Sequence, residues 1–363
     1  MTSGTDRVLL EQFASLPGKS IGIPFHQTGV SRDCLEPCVF RPVIRHALWG
    51  GQKLQRVLGK STGGAVDAAE SWEVCDLPGY QTRIAEGTHR GKTLSDLLTG
   101  FRKPLLGRHA HKACFPLLIK FLDARRPLSL QVHPCHPVCQ VDGTIRPGKA
   151  EAWVVLQAAE KSRMTLGLRE GVTEAELHQA IRDDRLEECL HFYSPQPGDC
   201  VFLPPGTVHA LGDGLLVAEI QEPSDITYRL HDWGRKDHQG RFRELHLEQG
   251  LASTRFDLGP VVPMVPRPLE GHTGSEVLVA SDHFVIHRHT GPQCWQFPED
   301  DVMHILIVLS GELRRCSSNL TEQVYPQGTT VVVPASRPDD YWLFDKETIL
   351  LDTFLPIVDR QDQ

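Results

Sequence analysis

"GDCVFLPPGTVHA" (residues 198–210) and "GTTVVVPASRPDD" (residues 328–340) share one frame. The first reads Gly-x5-Pro-x-Gly-x2-His, and the second reads Gly-x5-Pro-x-Ser-x2-Asp. Each follows a matching strand and turn, "EAWVVLQAAE" at 151–160 and "HILIVLSGEL" at 304–313. Residues 161–197 separate the two elements in the first copy, and the shorter 314–327 separate them in the second. A helical stretch at 168–190 accounts for the difference. Repeated short strands punctuated by Gly and Pro turns predict a mainly β protein built from two jelly-roll barrels. A few short helices are expected before and within the first barrel.

Outward from the repeat, the organisation follows. Residues 1–33 carry weak patterning and read as an arm. Residues 34–260 form the expected first domain, and the Pro- and Gly-rich 261–274 reads as a linker. Residues 275–363 form the second barrel. Amphipathic spacing predicts a helix near 92–106. "TEAE" at 173–176 is a capping box with Thr173 as N-cap and Glu176 three residues on. "DRLE" at 184–187 repeats that pattern and predicts a second short helix.

Composition excludes several classes. The 363-residue chain has a net charge of −8 and no Lys/Arg-rich block, which argues against nucleic acid as a partner. No apolar run approaches the length of a membrane span. The first thirty residues show no basic start followed by an apolar segment, so no export signal is expected. The 10 cysteines then read as reduced thiols of a cytoplasmic protein. Cys34/Cys38 and Cys135/Cys139 have C-x3-C spacing, which is not that of a zinc knuckle.

Three stretches carry chemistry. In "LSLQVHP" (128–134), Gln131 and His133 are two apart on a strand and share a face. "KAEAW" (149–153) places Lys149 and Glu151 on one face in the same way. "PPGTVHA" (204–210) supplies His209 just after a tight turn. Two imidazoles, a carboxylate and an amide oxygen suit one divalent ion of the zinc type, with a position left open for water or substrate. In the second copy Ser336 and Asp339 stand where Gly206 and His209 stand in the first, and no Gln-x-His strand is present. That barrel is expected to be metal-free. "EIQEPSDITYRLHDWGRKD" (219–237) is polar for a core strand, and reads either as an edge strand or, through Arg229, Arg235 and Lys236, as an anion-binding end.

The run "FPLLIKFLDARRPLSLQVHP", with "KAEAW", "FLPPGTVHAL" and "EIQEPSDITYRLHDWGR", resembles the type I mannose-6-phosphate isomerases in their short bacterial form. "WGG" (49–51) and "ESWEV" (70–74) fit the same pattern, so the resemblance spans roughly residues 40–250. It implies a zinc-dependent cupin that interconverts mannose 6-phosphate and fructose 6-phosphate through an enediolate. The family's metal ligands fall on His133, Glu151 and His209, with Gln131 as the fourth. Its catalytic arginine falls on Arg229 and an active-site lysine on Lys149. Ser129 and Lys120 match positions that line the phosphate end. Two departures stand out: "HPCHPVCQ" replaces an Asp-containing continuation, and His231 replaces a tyrosine. The proton-transferring base stays open between Lys149 and a water on the metal. Two rivals are a sugar-binding or regulatory bicupin without turnover, and a cupin oxygenase. The first would have lost Arg229 or Lys149, and the second would lack cations for a phosphate.

Overall fold

The computed structural model describes residues 34–139, 145–146, 148–237, 239–317 and 322–357. The arm expected over 1–33 lies outside them. Each copy of the repeated frame builds one barrel from a larger and a smaller antiparallel sheet. In the first barrel the larger sheet runs Cys200–Leu203, Glu151–Gln157, Leu215–Gln221, Leu118–Ala124, Ala68–Val74 and Val43–Gly51. In the second, Thr330–Val333, His304–Ser310, Ile349–Phe354, Val285–Thr290, Ser275–Ala280 and Arg267–Pro268 lie in the same order. The frame strands Cys200–Leu203 and Thr330–Val333 therefore occupy equivalent places, each beside the strand that precedes it in the repeat.

Alternation along these strands decides what each face meets. Trp153, Val155, Val201, Leu203 and Val217 point into the first barrel. Their neighbours Ala152, Val154, Ala218 and Ile220 point outward and join Ile305, Ile307, Val332 and Leu351 of the second barrel in one core. Both faces of Leu118–Ala124 are thus buried, and the segment is apolar apart from the buried charges of Lys120 and Asp123. The second barrel has its own interior around Leu306, Val308, Val331, Trp342 and Phe344.

The smaller sheet of the first barrel runs Leu190–Tyr193, Met164–Leu168, His209–Leu211, Leu130–Val132 and Tyr228–His231. Its outer face is covered by the helix Glu174–Arg182, through Leu177 and Ala180 packed against Leu130, Val132 and Leu168. The expected capping box is present: Thr173 Oγ1 accepts from the Glu176 amide, and the Glu176 carboxylate accepts from the Thr173 amide. The expected helix Leu94–Leu106 also forms, capped by Thr93 and Asp96.

The second helix predicted from "DRLE" does not form as read. Only a single 3-10 turn, Leu186–Glu188, is present, without a side-chain cap. Asp184 sits at φ 56 and the Arg185 amide donates to Ala180 O. That left-handed residue closes the preceding helix, whereas an N-cap needs extended backbone.

At the ends of the chain segments the barrels interleave. Val261 and Met264 donate backbone hydrogen bonds to Leu166 and Cys200 of the first barrel before Arg267–Pro268 joins the second. Cys38–Arg41, early in the chain, pairs with Thr330–Val333 on the edge of the second barrel's sheet. No helix among the described residues is long and apolar enough to cross a membrane.

Candidate metal centre

Strand register brings the candidate residues together. Across the smaller sheet His209 lies opposite Gln131, and Gln131 lies opposite Arg229. Directly opposed residues of an antiparallel pair share a face, so the three form one row across the barrel interior. His133 follows two residues after Gln131 on that face. From the facing sheet Glu151 rises at the start of its strand, flanked by Leu203 and Gln221.

Local backbone contacts fix this arrangement. Gly206 adopts φ +88, where a Cβ would meet Arg255 Cγ at 2.7 Å. Only glycine makes that turn cheaply, and its amide donates to His133 O at 3.0 Å. The turn before His209 is thereby tied to His133. On the other side the Lys149 amide donates to Pro134 O, and the Ala150 amide donates to Glu222 Oε2 at 2.9 Å.

The imidazoles are oriented through their second nitrogens. His133 Nδ1 donates to Ile226 O at 2.8 Å, and His209 Nδ1 donates to Thr207 O at 2.8 Å. A carbonyl only accepts, so each Nδ1 carries the proton and each neutral ring turns a bare Nε2 inward. His133 Nε2 is 3.3 Å from Glu151 Oε2, and His209 Nε2 is 3.1 Å from Glu151 Oε1. All three residues are buried, and the Glu151 oxygens make no well-aligned hydrogen bond, their one cationic neighbour among the described residues being the Lys149 ammonium. Bare imidazole nitrogens facing a carboxylate inside a protein need positive charge among them, and Lys149 supplies it only on the side of Glu151 Oε2 and His133. This donor set fits a divalent metal ion.

Gln131 adjoins this group. Its Nε2 amide donates to His209 Nε2 at 3.2 Å, and a half-turn of the amide presents Oε1 at the same place. The Lys149 ammonium lies 2.9 Å from Glu151 Oε2 and donates to His133 Nε2 at 3.0 Å. Burial, reinforced by Lys149, pushes the His133 imidazolium pKa down to about 4. Burial also lowers that of His209. For Glu151 burial acts upward, but Lys149 and then the two histidines outweigh it and hold the carboxyl well below its usual range. Neutral imidazoles and an ionised carboxylate are the states that bind metal.

Arg229 is half-buried beside Gln131. Its Nη1 donates to Glu244 O at 2.7 Å, while its buried Nε has no partner. Burial and the like charge of Arg243 lower its pKa.

The remaining expected residues separate into two groups. Ser129 and Lys120 are buried in the same barrel. Lys120 stands opposite Glu219, to which it donates at 2.9 Å, and its ammonium lies 4.9 Å from the Trp72 ring centroid. Burial opposes its charge, but Glu219 and Glu70 raise its pKa on balance.

Arg235 is instead held by the Asp232 carboxylate and Pro127 O, and the exposed Lys236 lies over the Phe242 ring. None of these contacts reaches the His–Glu–His group. His231 lies opposite Leu130, on the outer face, and Glu222 pairs with His283 of the second barrel at 3.2 Å.

Glu219 and Arg243 escaped the sequence reading. Glu219 carried a signal, an acidic residue two before Gln221 on an otherwise apolar strand. Arg243 carried none, since only the fold sets it beside Asp232. The side chain of Cys139 lies outside the described residues.

A jelly-roll barrel with two histidines and a glutamate converging inside defines a metal-centre cupin, here paired with a second barrel. Phosphomannose isomerase type I, catalytic domain, matches residues 39–152, which include Gln131, His133, Lys149 and Glu151. Mannose-6-phosphate isomerase ManA of Bacillus subtilis (strain 168) is 31% identical over 314 residues, 82% of this chain and 93% of that protein. The mannose-6-phosphate isomerase of Streptococcus mutans is 30% identical over 319 residues, 85% of this chain and 95% of that protein. The crystal structure of mannose 6-phosphate isomerase from Bacillus subtilis superposes with a TM-score of 0.79 at 26% identity, covering 88% of this chain and 99% of that one. The chain belongs to the type I mannose-6-phosphate isomerase family.

Proposed function

We propose that this chain interconverts mannose 6-phosphate and fructose 6-phosphate, an aldose–ketose isomerisation through an enediolate. The observation that carries the reading is the row His209–Gln131–Arg229 facing Glu151 and Lys149, in a chain of this family. We assign one divalent ion, zinc first, to His133, Glu151, His209 and the Gln131 amide oxygen. When bound, it would polarise the sugar carbonyl and steady negative charge on its oxygen.

The chain's own groups do the rest. Arg229 projects from the strand beside Gln131, and its buried, unpaired Nε–H would gain a partner in a developing oxyanion or a sugar hydroxyl. Lys149 lies within hydrogen-bond distance of Glu151 and His133 and is positioned to move a proton between C1 and C2. Ser129 and Lys120 line the deeper wall. Glu219 neutralises Lys120, so that lysine contributes oriented N–H donors rather than net charge. Arg229 and Arg243 supply the positive field for the phosphate, whereas Arg235, paired with Asp232, and Lys236, over Phe242, lie outside it. Phosphate held there positions C1–C2 through binding energy remote from the reacting bond. Reduced thiols and a phosphorylated substrate fit a cytoplasmic enzyme.

The test is a coupled assay that follows fructose 6-phosphate formed from mannose 6-phosphate, with calorimetric binding of the same sugar alongside. Turnover supports the enzyme. Binding without turnover in a fully metal-loaded sample would favour the regulatory bicupin instead, and dioxygen uptake would favour an oxygenase.

A further inference from the structure

The second barrel holds its own converging donor set. Asp352 and His287 lie directly opposite each other on adjacent strands, and His289 follows two residues along on the same face. One ligand atom from each lies within 4.8 Å of the others. The equivalent places in the first barrel hold Glu219, Lys120 and Leu122. The second barrel has thus exchanged an ammonium for an imidazole, and an apolar side chain for a second imidazole.

That second imidazole needs an explanation. His289 is 4% exposed, and its Nε2 is buried without a hydrogen-bond partner. Its Nδ1 is paired with Ser275 Oγ at 2.8 Å, and the Trp295 ring packs at 4.7 Å between centroids. A partnerless buried nitrogen is costly unless something binds it. Asp352 is held as metal-ligating carboxylates are held, by a further hydrogen bond. His304 Nδ1 approaches its oxygens at 2.9 and 3.0 Å, and Asp300 pairs with the other side of that ring at 3.0 Å.

We infer that His287, His289 and Asp352 bind a divalent first-row transition ion, separate from the catalytic centre, that clamps Val285–Thr290 to Ile349–Phe354. Two imidazoles and one carboxylate leave positions open for water, as such sets do for zinc, iron or cobalt. This departs from the metal-free barrel expected from Ser336 and Asp339. Those residues occupy the places of Gly206 and His209, whereas the cluster comes from the strands equivalent to Leu118–Ala124 and Leu215–Gln221.

The test titrates the chelator-stripped full chain with Co2+, reading its visible absorption and counting retained ions by elemental analysis after gel filtration. Two ions are expected per wild-type chain, one in His133→Gln and one in His289→Gln, with mannose 6-phosphate turnover kept in His289→Gln alone. The His133→Gln arm leaves the second barrel intact, so it decides the matter even if His289→Gln does not fold. Its remaining ion should show two imidazole scatterers by X-ray absorption. No ion in His133→Gln, or an unchanged wild-type count in His289→Gln, overturns the proposal. Failure of the catalytic-site reading looks different: His133→Gln would keep the wild-type count while His289→Gln lost an ion.

Discussion

Arg229→Lys separates a catalyst from a binding module. The arginine is anchored by one N–H on Glu244 O, while its Nε is buried and unpaired on a residue that stands opposite Gln131. Lysine keeps the charge, but its single nitrogen cannot reproduce the separate directions in which the planar guanidinium aims Nη1 and Nε. Losing one charge-assisted contact to a developing oxyanion costs ~2.7–4 kcal/mol, or about 10²–10³ in rate. The lost Glu244 contact removes about 0.5–1.5 kcal/mol of stability, a minor part of a domain's total. Steady-state kinetics with mannose 6-phosphate should therefore show kcat reduced by that factor with KM little changed. Metal content and melting temperature should stay near wild type. A raised KM at unchanged kcat would show that Arg229 only binds phosphate, and unchanged values of both would remove it from the site.

Three further outcomes follow from the same structure. Ile307→Ala, in the core between the barrels, should cost about 2–5 kcal/mol in urea unfolding while kcat per folded molecule is kept; a near-neutral result would mean the barrels do not stabilise each other there. Asp339→Ala should leave turnover and metal content intact, since among the described residues its exposed carboxylate accepts from Gln296 alone; a loss as deep as that in His209→Ala would refute this. The pH dependence of stability should reveal the contact between His283 and Glu222. The Glu222 hydrogen bond raises the His283 pKa against the opposing effect of burial. That contribution is full below the unfolded value of about 6.5 and fades as pH rises through the higher folded value. His283→Gln should flatten that part of the melting-temperature profile, and an unaltered slope would show that the pair contributes nothing.

Much of the site was legible because strands alternate. Gln131/His133 and Lys149/Glu151 are spaced two apart, and His209 follows a turn that only Gly206 makes easily. The repeated frame likewise announced two barrels with equivalent sheets. Other features depend on partners distant in sequence. Nothing local shows that Cys38–Arg41 pairs with Thr330–Val333, because antiparallel pairing carries no mark of its partner. The charges of 219–237 looked uniform, yet Arg229 lands opposite Gln131 while Arg235 turns to Asp232 and Pro127. Register, including the irregularity between Arg229 and His231, decides between those fates. The histidines of Val285–Thr290 have no sequence counterpart in the first barrel, where Lys120 and Leu122 hold their places, so the repeat does not point to them.

The central claim is that isomerisation runs on a metal held by His133, Glu151 and His209. Its most direct test measures mannose 6-phosphate turnover and metal content on one sample, first stripped by chelator and then reloaded with zinc. Activity should vanish on stripping and return on reloading in the wild-type chain, but not return in His209→Ala. Full turnover from a stripped sample that holds no stoichiometric metal would contradict the account.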